Sequence, residues 1–357
     1  MRKMTPRQNI LFMYRRTGYE YAPAALYLCE SQVKRVFKEL GTENYTEAFD
    51  LPVRGARGLT LKAQPPEHFL RYYDSLKKGT RIDKYGVAHE PGSEAAYHMT
   101  YMRNPLRNAN SVDDILNYAF PIHYADDTID YAGEVKALHD RGYIAHGSMA
   151  CTIWEQSWYI RGMDELMMDM LEESEMAVVL LDKITDMACK RITHYARIGV
   201  DTIEVGDDIG MQKTPMMSLN MYRQWLKPRL KKVITTAKEI NPDVLVMYHS
   251  CGFIEPFIDD LIDAGVDILN PIQPECMDFE EIHAIYGNRI SFNGTLGTQT
   301  VMPFGTPEQV RETVYKNLQI AGAKGGLFCC PTHIIEPEVP WENIMAYIEA
   351  CRDYKPV

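Results

Sequence analysis

Interpretation of this chain starts from the stretch Met247-Tyr248-His249-Ser250-Cys251-Gly252. It continues the short apolar run Val244–Met247, which predicts a buried strand, and a predicted helix starts at residues 253 to 258. Because His249 and Cys251 are two residues apart where the strand ends, their side chains point to the same side of the backbone. Neutral imidazole and thiolate together form half of a zinc site. An isolated pair of this kind is more often a buried cysteine and a core histidine, so the rest of the chain has to decide.

Length and composition are typical of a globular protein. Of 357 residues, 46% are hydrophobic and 24% are charged, which allows a sizeable core. A net charge of −11 and a pI near 5.4 argue against a nucleic-acid-binding surface. No apolar run approaches the roughly 18 residues of a membrane span, and no signal-peptide core follows the basic N-terminus, so we expect a cytoplasmic protein that does not enter a membrane. The eight scattered cysteines are expected to be reduced.

Short apolar strands alternate with helices from residue 111 onward. Ser111-Val112-Asp113-Asp114 predicts a capped helix start. Further strands are predicted at residues 144–148, 201–205, 244–247, 267–269, 290–292 and 326–329. This alternation is typical of parallel strands covered by helices, and the number of units favours a (β/α)8 TIM barrel. We therefore predict one domain over residues 1–357, in which residues 1–110 form an extension and an insertion around the early strands. Within residues 1–110, a helix over residues 5 to 18, a short strand over 24 to 28 and a helix over 67 to 76 are predicted.

Polar side chains collect where the predicted strands end. These strand ends carry Gly206-Asp207-Asp208, His249-Ser250-Cys251, Asn270, Asn293-Gly294 and Cys329-Cys330-Pro331-Thr332-His333. In barrel enzymes the chemistry lies at the carboxyl ends of the strands. Asp207 and Asp208 are candidates for a metal-binding or proton-transferring pair, or for simple helix caps, and Asn293 is a candidate substrate contact or part of a turn.

Several motifs resemble the uroporphyrinogen decarboxylase superfamily, and specifically its branch of corrinoid-dependent methyltransferases. The similar segments span nearly the whole chain. They are Met4-Thr5-Pro6-Arg7-Gln8-Asn9, Asp83-Lys84-Tyr85-Gly86, Asn117-Tyr118-Ala119-Phe120-Pro121, Trp158-Tyr159-Ile160-Arg161-Gly162, Gly206-Asp207-Asp208-Ile209-Gly210 and Gly305-Thr306-Pro307-Glu308.

The resemblance implies a zinc site. In the methyltransferase branch a His-x-Cys pair and a third ligand near the last strand hold zinc, and His249 and Cys251 match the pair. His333 stands where that branch commonly has cysteine. Three alternatives remain open: His333 completes the site, Cys329 or Cys330 supplies the sulfur, or no metal binds and His333 contacts substrate. Glu204 is a candidate fourth ligand.

The resemblance also implies a function. We expect a zinc-dependent methyltransferase that moves a methyl group between a small methylated substrate and the cobalt of cobalamin, carried by a separate corrinoid protein. An O-methyl donor such as a methoxylated aromatic is the preferred substrate, because His333 replaces the cysteine of the thiol-activating enzymes. Alternatives are methyl transfer to a thiol, uroporphyrinogen decarboxylation, and a non-catalytic tetrapyrrole-binding barrel. The decarboxylase is disfavoured because Arg15-Arg16-Thr17-Gly18-Tyr19 lacks the family's arginine motif. The sequence leaves the direction of transfer and the oligomeric state open, a homodimer being one candidate.

Overall fold

The fold was obtained as a computed structural model, which describes residues 3–92 and 100–356. Its strands are β1 Val53–Gly55, β2 Thr60–Lys62, β3 Arg81–Ile82, β4 Ala88–Pro91, β5 Thr100–Arg103, β6 Ile122–Tyr124, β7 Ile144–Ser148, β8 Thr202–Gly206, β9 Leu245–His249, β10 Ile268–Asn270, β11 Ser291–Asn293 and β12 Leu327–Phe328. Its helices are α1 Pro6–Tyr14, α2 Glu30–Leu40, α3 Tyr45–Ala48, α4 Pro66–Phe69, α5 Val112–Leu116, α6 Tyr131–Asp140, α7 Trp154–Arg161, α8 Met163–Leu171, α9 Glu175–Ile198, α10 Leu219–Met221, α11 Lys227–Ile240, α12 Ile258–Ala264, α13 Phe279–Tyr286, α14 Val301–Phe304, α15 Pro307–Ala321 and α16 Trp341–Asp353. Short 3-10 helices cover Leu70–Tyr72 and Glu255–Phe257, and a π-helical turn covers Tyr222–Leu226.

Seven parallel strands form the curled central sheet in the order β1-β7-β8-β9-β10-β11-β12. An irregular segment, residues 22–28, lies beside both ends of this sheet. The carbonyl of Tyr27 accepts a 2.7 Å hydrogen bond from the amide of Ile335, beyond β12, and Tyr27 lines a cavity together with Val53 of β1. The predicted α/β barrel is therefore confirmed, and the irregular segment 22–28 takes the place of an eighth strand.

Helices cover the outer face of the sheet. The longest, α9, buries Leu180, Leu181, Ile184 and Ala188 at the spacing of one helical face, and α11 packs along it. Full burial of each such leucine or isoleucine contributes roughly 1.5–3 kcal/mol. This layer holds the strands rigidly, so that side chains at the strand ends have defined positions.

Helix α1 covers the amino-terminal end of the barrel. Thr5 caps it, and Arg7 forms a 2.7 Å ion pair with Asp201, which precedes β8. The hydroxyl of Ser291, the first residue of β11, donates a 2.6 Å hydrogen bond to the carbonyl of Tyr14. With this end covered, the opposite rim of the barrel, at the carboxyl ends of the strands, is the open one; we call it the mouth.

Most predicted elements from residue 111 onward are confirmed, including the capping box at Ser111. The early part differs. Residues 24–28 form one isolated bridge at Leu28 rather than a strand, and the first barrel strand is β1, inside the region expected to be an extension and an insertion. The helix expected over residues 5 to 18 ends at Tyr14, and the one expected over 67 to 76 is α4 followed by a 3-10 turn. Three-residue strands such as β1 are too short to show a periodic pattern.

The inserted region also forms antiparallel ribbons, β2 with β6 and β3-β4-β5. None of the helices in the described part of the chain is long and apolar enough to span a bilayer.

Candidate metal centre

Three neighbouring strands present their last residues side by side at the mouth. His249 ends β9 and lies opposite Asn270, which ends β10, while Asn293 ends β11. The chain then turns sharply at Gly252, where φ is 84° and an added Cβ would lie 2.7 Å from the backbone of Gly210. Only glycine fits this turn without strain, and the turn holds Cys251 against the end of β9.

His249, Cys251 and His333 come together as predicted. One ligand atom from each lies within 4.8 Å of the other two, and Cys251 Sγ is 3.7 Å from His249 Nε2. Sulfur and nitrogen ligands of a tetrahedral zinc ion are about 3.5 Å apart, given the usual bond lengths. His249 and Cys251 are half-buried at the end of β9, whereas His333 is exposed on a loop. The donor set therefore fits zinc.

The imidazole of His249 is oriented by Asn270. Asn270 Oδ1 lies 2.6 Å from His249 Nδ1, so that nitrogen carries the proton and donates, which leaves Nε2 free toward Cys251. Asn270 Nδ2 in turn donates to Asn293 Oδ1 at 2.7 Å, and Asn293 Nδ2 donates to the hydroxyl of Tyr14 at 2.7 Å. This chain of amides runs from the candidate ligand His249 into the barrel interior, and outer hydrogen bonds of this kind orient metal ligands where a metal is bound.

The two adjacent aspartates have different surroundings. Asp208 is at the candidate centre: its Oδ1 accepts a 2.7 Å hydrogen bond from the amide of Cys251 and is 3.8 Å from His249 Nε2. Its side chain is 39% exposed, so water or substrate can reach it. The amide of Asp208 donates to Glu155 on α7 at 3.1 Å, a contact that sequence reasoning did not anticipate.

Asp207 is buried and serves α7. Its carboxylate accepts hydrogen bonds of 2.9–3.1 Å from the amides of Ile153 and Glu155 at the start of that helix. Burial, with the negative charge of Glu155, raises the pKa of Asp207 to about 7 although these amides act against the rise. The aspartate with the raised pKa is thus the helix cap, and the one beside the candidate ligands is Asp208.

The electrostatics of the two histidines differ. Burial lowers the pKa of His249. The hydrogen bond and charge of Cys251, the hydrogen bond of Asn270 and the charge of Asp208 act in the opposite direction, and together they raise this pKa to about 10. For His333, desolvation by the residues packed around the ring and the neighbouring charge of His249 lower the pKa. Zinc binds neutral imidazole, so it would displace the second proton that Cys251 and Asp208 favour on His249.

The other cysteines near the last strand lie inside the barrel wall. Burial raises the pKa of Cys329 to about 12, and it also raises the pKa of Cys330, whose thiol donates to Asn293 Oδ1 at 3.3 Å. Among the described residues, the cluster with metal-ligand spacing contains His333 and neither of these thiols. The geometry favours the first of the three alternatives, with histidine as third ligand.

Glu204 belongs to a separate polar group. The hydroxyl of Ser148 donates to its Oε2 at 2.7 Å, and His146 Nε2 is 3.7 Å from the same oxygen. Burial acts to raise the pKa of Glu204, but the hydrogen bond and charge of His146 and the Ser148 hydroxyl lower it to about 2. Sequence reasoning missed His146 and Ser148, although both alternate on the predicted strand β7 and their side chains therefore share one face.

Two cavities open at the mouth. One, of about 590 Å³, is lined by Cys251 and His333 with Met211, Met216 and Gln273. The other, of about 370 Å³, surrounds Glu204. A larger cavity of about 810 Å³ lies among α13, α14 and α15 and contains none of the candidate ligands, so we assign the chemistry to the mouth.

Comparison with known proteins agrees with this architecture. A methylated-thiol–coenzyme M methyltransferase of Methanosarcina mazei is 26% identical over 205 residues, covering 55% of this chain and 49% of the relative. A uroporphyrinogen decarboxylase of Chlorobium luteolum is 26% identical over 189 residues, covering 52% of this chain and 51% of the relative. The chain thus spans about half the length of these two curated relatives. A uroporphyrinogen decarboxylase of Hordeum vulgare is 21% identical, and the match covers 70% of this chain and 74% of that relative.

The solved structure of a methyltransferase from Methanosarcina mazei superimposes with a TM-score of 0.65 at 14% identity, covering 98% of this chain and 99% of that one, which supports the barrel fold. The sequence profile of the uroporphyrinogen decarboxylase (URO-D) family matches residues 101–354. Because that match spans well over half of the chain, the protein belongs to the uroporphyrinogen decarboxylase family.

Proposed function

We propose that this chain is a zinc-dependent methyltransferase that moves a methyl group between a small methylated substrate and the cobalt of a separate corrinoid protein. The observation that carries the proposal is the convergence of His249, Cys251 and His333, whose ligand atoms lie within 4.8 Å of one another. Methyltransferases are also among its relatives and structural neighbours.

The donor set favours an oxygen leaving group. His249, Cys251 and His333 would hold the zinc ion, which would supply a Lewis acid to stabilise the oxygen that departs from a methyl ether. Zinc carries two positive charges. With two neutral imidazoles and one thiolate, the metal and its three ligands would keep one net positive charge, whereas a second thiolate would cancel it. A residual positive charge stabilises a departing oxygen better than it activates a thiol nucleophile. A methoxylated aromatic is therefore our preferred donor, and transfer to a thiol is the second candidate because one relative carries that activity in its name.

The protein's own groups position the reactants. Met211 and Met216 offer apolar, adaptable walls beside Cys251, suited to a methyl-bearing ligand. Asp208 lies beside His249 Nε2 and is accessible, so its carboxyl is placed to hold a water or a proton near a leaving oxygen.

The arrangement of cations supports methyl transfer over decarboxylation of a porphyrin precursor, whose many carboxylates require basic partners. Arg15 pairs with Asp243 and Arg16 bonds to Ser291, both at the covered amino-terminal end of the barrel. Among the described residues lining the two mouth cavities there is no lysine, and the one arginine is Arg54.

Elemental analysis and single-turnover methylation of cob(I)alamin test the proposal. We expect about one zinc per chain and transfer from a methoxylated aromatic, with no conversion of uroporphyrinogen. Cys251→Ala should lose most of the zinc and the transfer, whereas Cys189→Ala, an equally half-buried cysteine on α9, should keep both. Full zinc retention in both Cys251→Ala and His249→Ala would refute the metal site. Turnover of uroporphyrinogen would reverse the ranking of the two activities.

A further inference from the structure

The 370 Å³ cavity around Glu204 is the second polar feature of the mouth and takes no part in the candidate metal centre. Its walls come from residues 25–27, 45–46 and 51–55 and from the ends of β7 and β8. Ser148 and His146 fix the carboxylate of Glu204 through Oε2. In the described part of the chain no hydrogen bond reaches Oε1, so this oxygen remains as an acceptor.

We propose that this cavity binds the end of the substrate remote from the methyl group, and that it selects a hydrogen-bond donor, a hydroxyl or an ammonium, while rejecting a carboxylate. The inference rests on the proposed function, since it assigns the specificity of the same site.

The position of Glu204 relative to the candidate ligands suits this role. Glu204 on β8 pairs in register with Met247 on β9, and His249 is two residues further along β9. Glu204 and His249 therefore face the barrel interior from adjacent strands, with Cα atoms about 8 Å apart by strand geometry. One substituted aromatic ring spans such a gap, so a ligand anchored at Glu204 presents its methoxyl group toward His249 and Cys251.

The charges lining the cavity exclude an anionic ligand. Arg54 donates to the backbone carbonyls of Leu51 and Val53 and to Glu47, and its guanidinium stacks 4.2 Å from the ring centroid of Tyr143. It is therefore not free to pair with a ligand. An incoming carboxylate would face the carboxylate of Glu204, and two like charges at close range repel each other.

The remaining walls suit an aromatic or cationic ligand. Tyr27 and Tyr45 line the cavity, and Tyr27 is 55% exposed. Aromatic faces attract organic cations and pack against aromatic rings. A ligand whose hydroxyl or ammonium group donates to Glu204 and whose ring packs against the tyrosines contacts both the polar and the aromatic wall of the cavity.

Calorimetric titration with three methoxylated aromatic probes tests this assignment without the corrinoid protein. The probes are 4-methoxyphenol, protonated 4-methoxybenzylamine and 4-methoxybenzoate, in which the hydroxyl, ammonium or carboxylate group lies across the ring from the methoxyl group. The benzoate has no hydrogen-bond donor to offer Glu204, so it cannot form the hydrogen bond to this charged group. We therefore expect the phenol and the ammonium probe to bind at least about 10-fold more tightly than the benzoate. Glu204→Gln should weaken the ammonium probe by about 10- to 100-fold and the phenol less, because an amide oxygen still accepts from a hydroxyl. Glu134→Gln, the same change at a partly exposed ion pair on α6, should alter none of the three affinities.

Selective binding of the hydroxyl or the ammonium probe identifies which donor the site takes. Equal binding of all three probes to the wild-type protein overturns the proposal, even if Glu204→Gln proves unstable. Unchanged ammonium affinity in a folded Glu204→Gln variant overturns it as well. If the binding selectivity is found but no methyl reaches cob(I)alamin, the proposed function fails while the assignment of this cavity stands.

Discussion

Replacing Asn270 with alanine should weaken zinc binding without touching a ligand. Asn270 Oδ1 is 2.6 Å from His249 Nδ1, and no other acceptor for that nitrogen is seen in the described part of the structure. In the variant the imidazole loses the contact that fixes its tautomer and ring angle, and Nε2 no longer points steadily toward Cys251.

The size of the effect follows from the role of such outer contacts. Losing one typically costs about 10- to 100-fold in metal affinity, or about 1.4–2.7 kcal/mol. Asn270→Asp keeps an acceptor at the same place and should restore most of the affinity, although it loses the bonds that Nδ2 donates to Asn293. The graded order wild type, then Asn270→Asp, then Asn270→Ala is the signature of a positioning contact.

Competition with a chromogenic zinc chelator measures the affinity, and thermal unfolding of the zinc-free proteins controls for stability. Asn317→Ala is the control, because Asn317 is a buried asparagine whose side chain bonds to Thr295 instead of a candidate ligand. Both alanine variants should lose similar thermal stability, and only Asn270→Ala should lose zinc affinity. Wild-type zinc affinity in Asn270→Ala, or an equal loss in Asn317→Ala, would contradict the reasoning.

The two aspartates should respond differently to substitution. Asp208→Asn should keep its zinc and slow single-turnover demethylation by about 100-fold or more, as expected for loss of a proton-handling group; an unchanged rate would return Asp208 to the role of a solvated loop residue. Asp207→Asn should mainly change stability. Because the pKa of Asp207 is raised from 3.8 to about 7 on folding, the folded wild type holds a proton that the unfolded chain has released, so its stability falls as pH rises from about 4 to 7. Melting temperatures at pH 5 and pH 8 should show this decrease in wild type and a smaller one in Asp207→Asn; parallel curves would refute the assignment.

The barrel could be predicted from the sequence because its signals are local. Apolar runs of three to five residues alternate with helices that carry their own caps, as at Ser111 and Thr306, and each such pattern depends on residues close together in the chain. The His249–Cys251 pair is local in the same way, because a two-residue spacing at the end of a strand puts both side chains on one side. The third candidate ligand, His333, was predicted through resemblance to a family, since no local pattern connects residues so far apart.

Tertiary structure alone decided which polar residues meet. Asp207 and Asp208 are equivalent in the sequence, and they differ only because the start of α7 packs over one of them and leaves the other at the mouth. The grouping of Glu204 with Ser148 and His146 depends on the register between β7 and β8, which is set by how the sheet is staggered as it curls. Strand register and helix packing are determined by contacts between distant segments. Register and packing cannot be predicted from local patterns in a single sequence, because they form only when the whole core packs together.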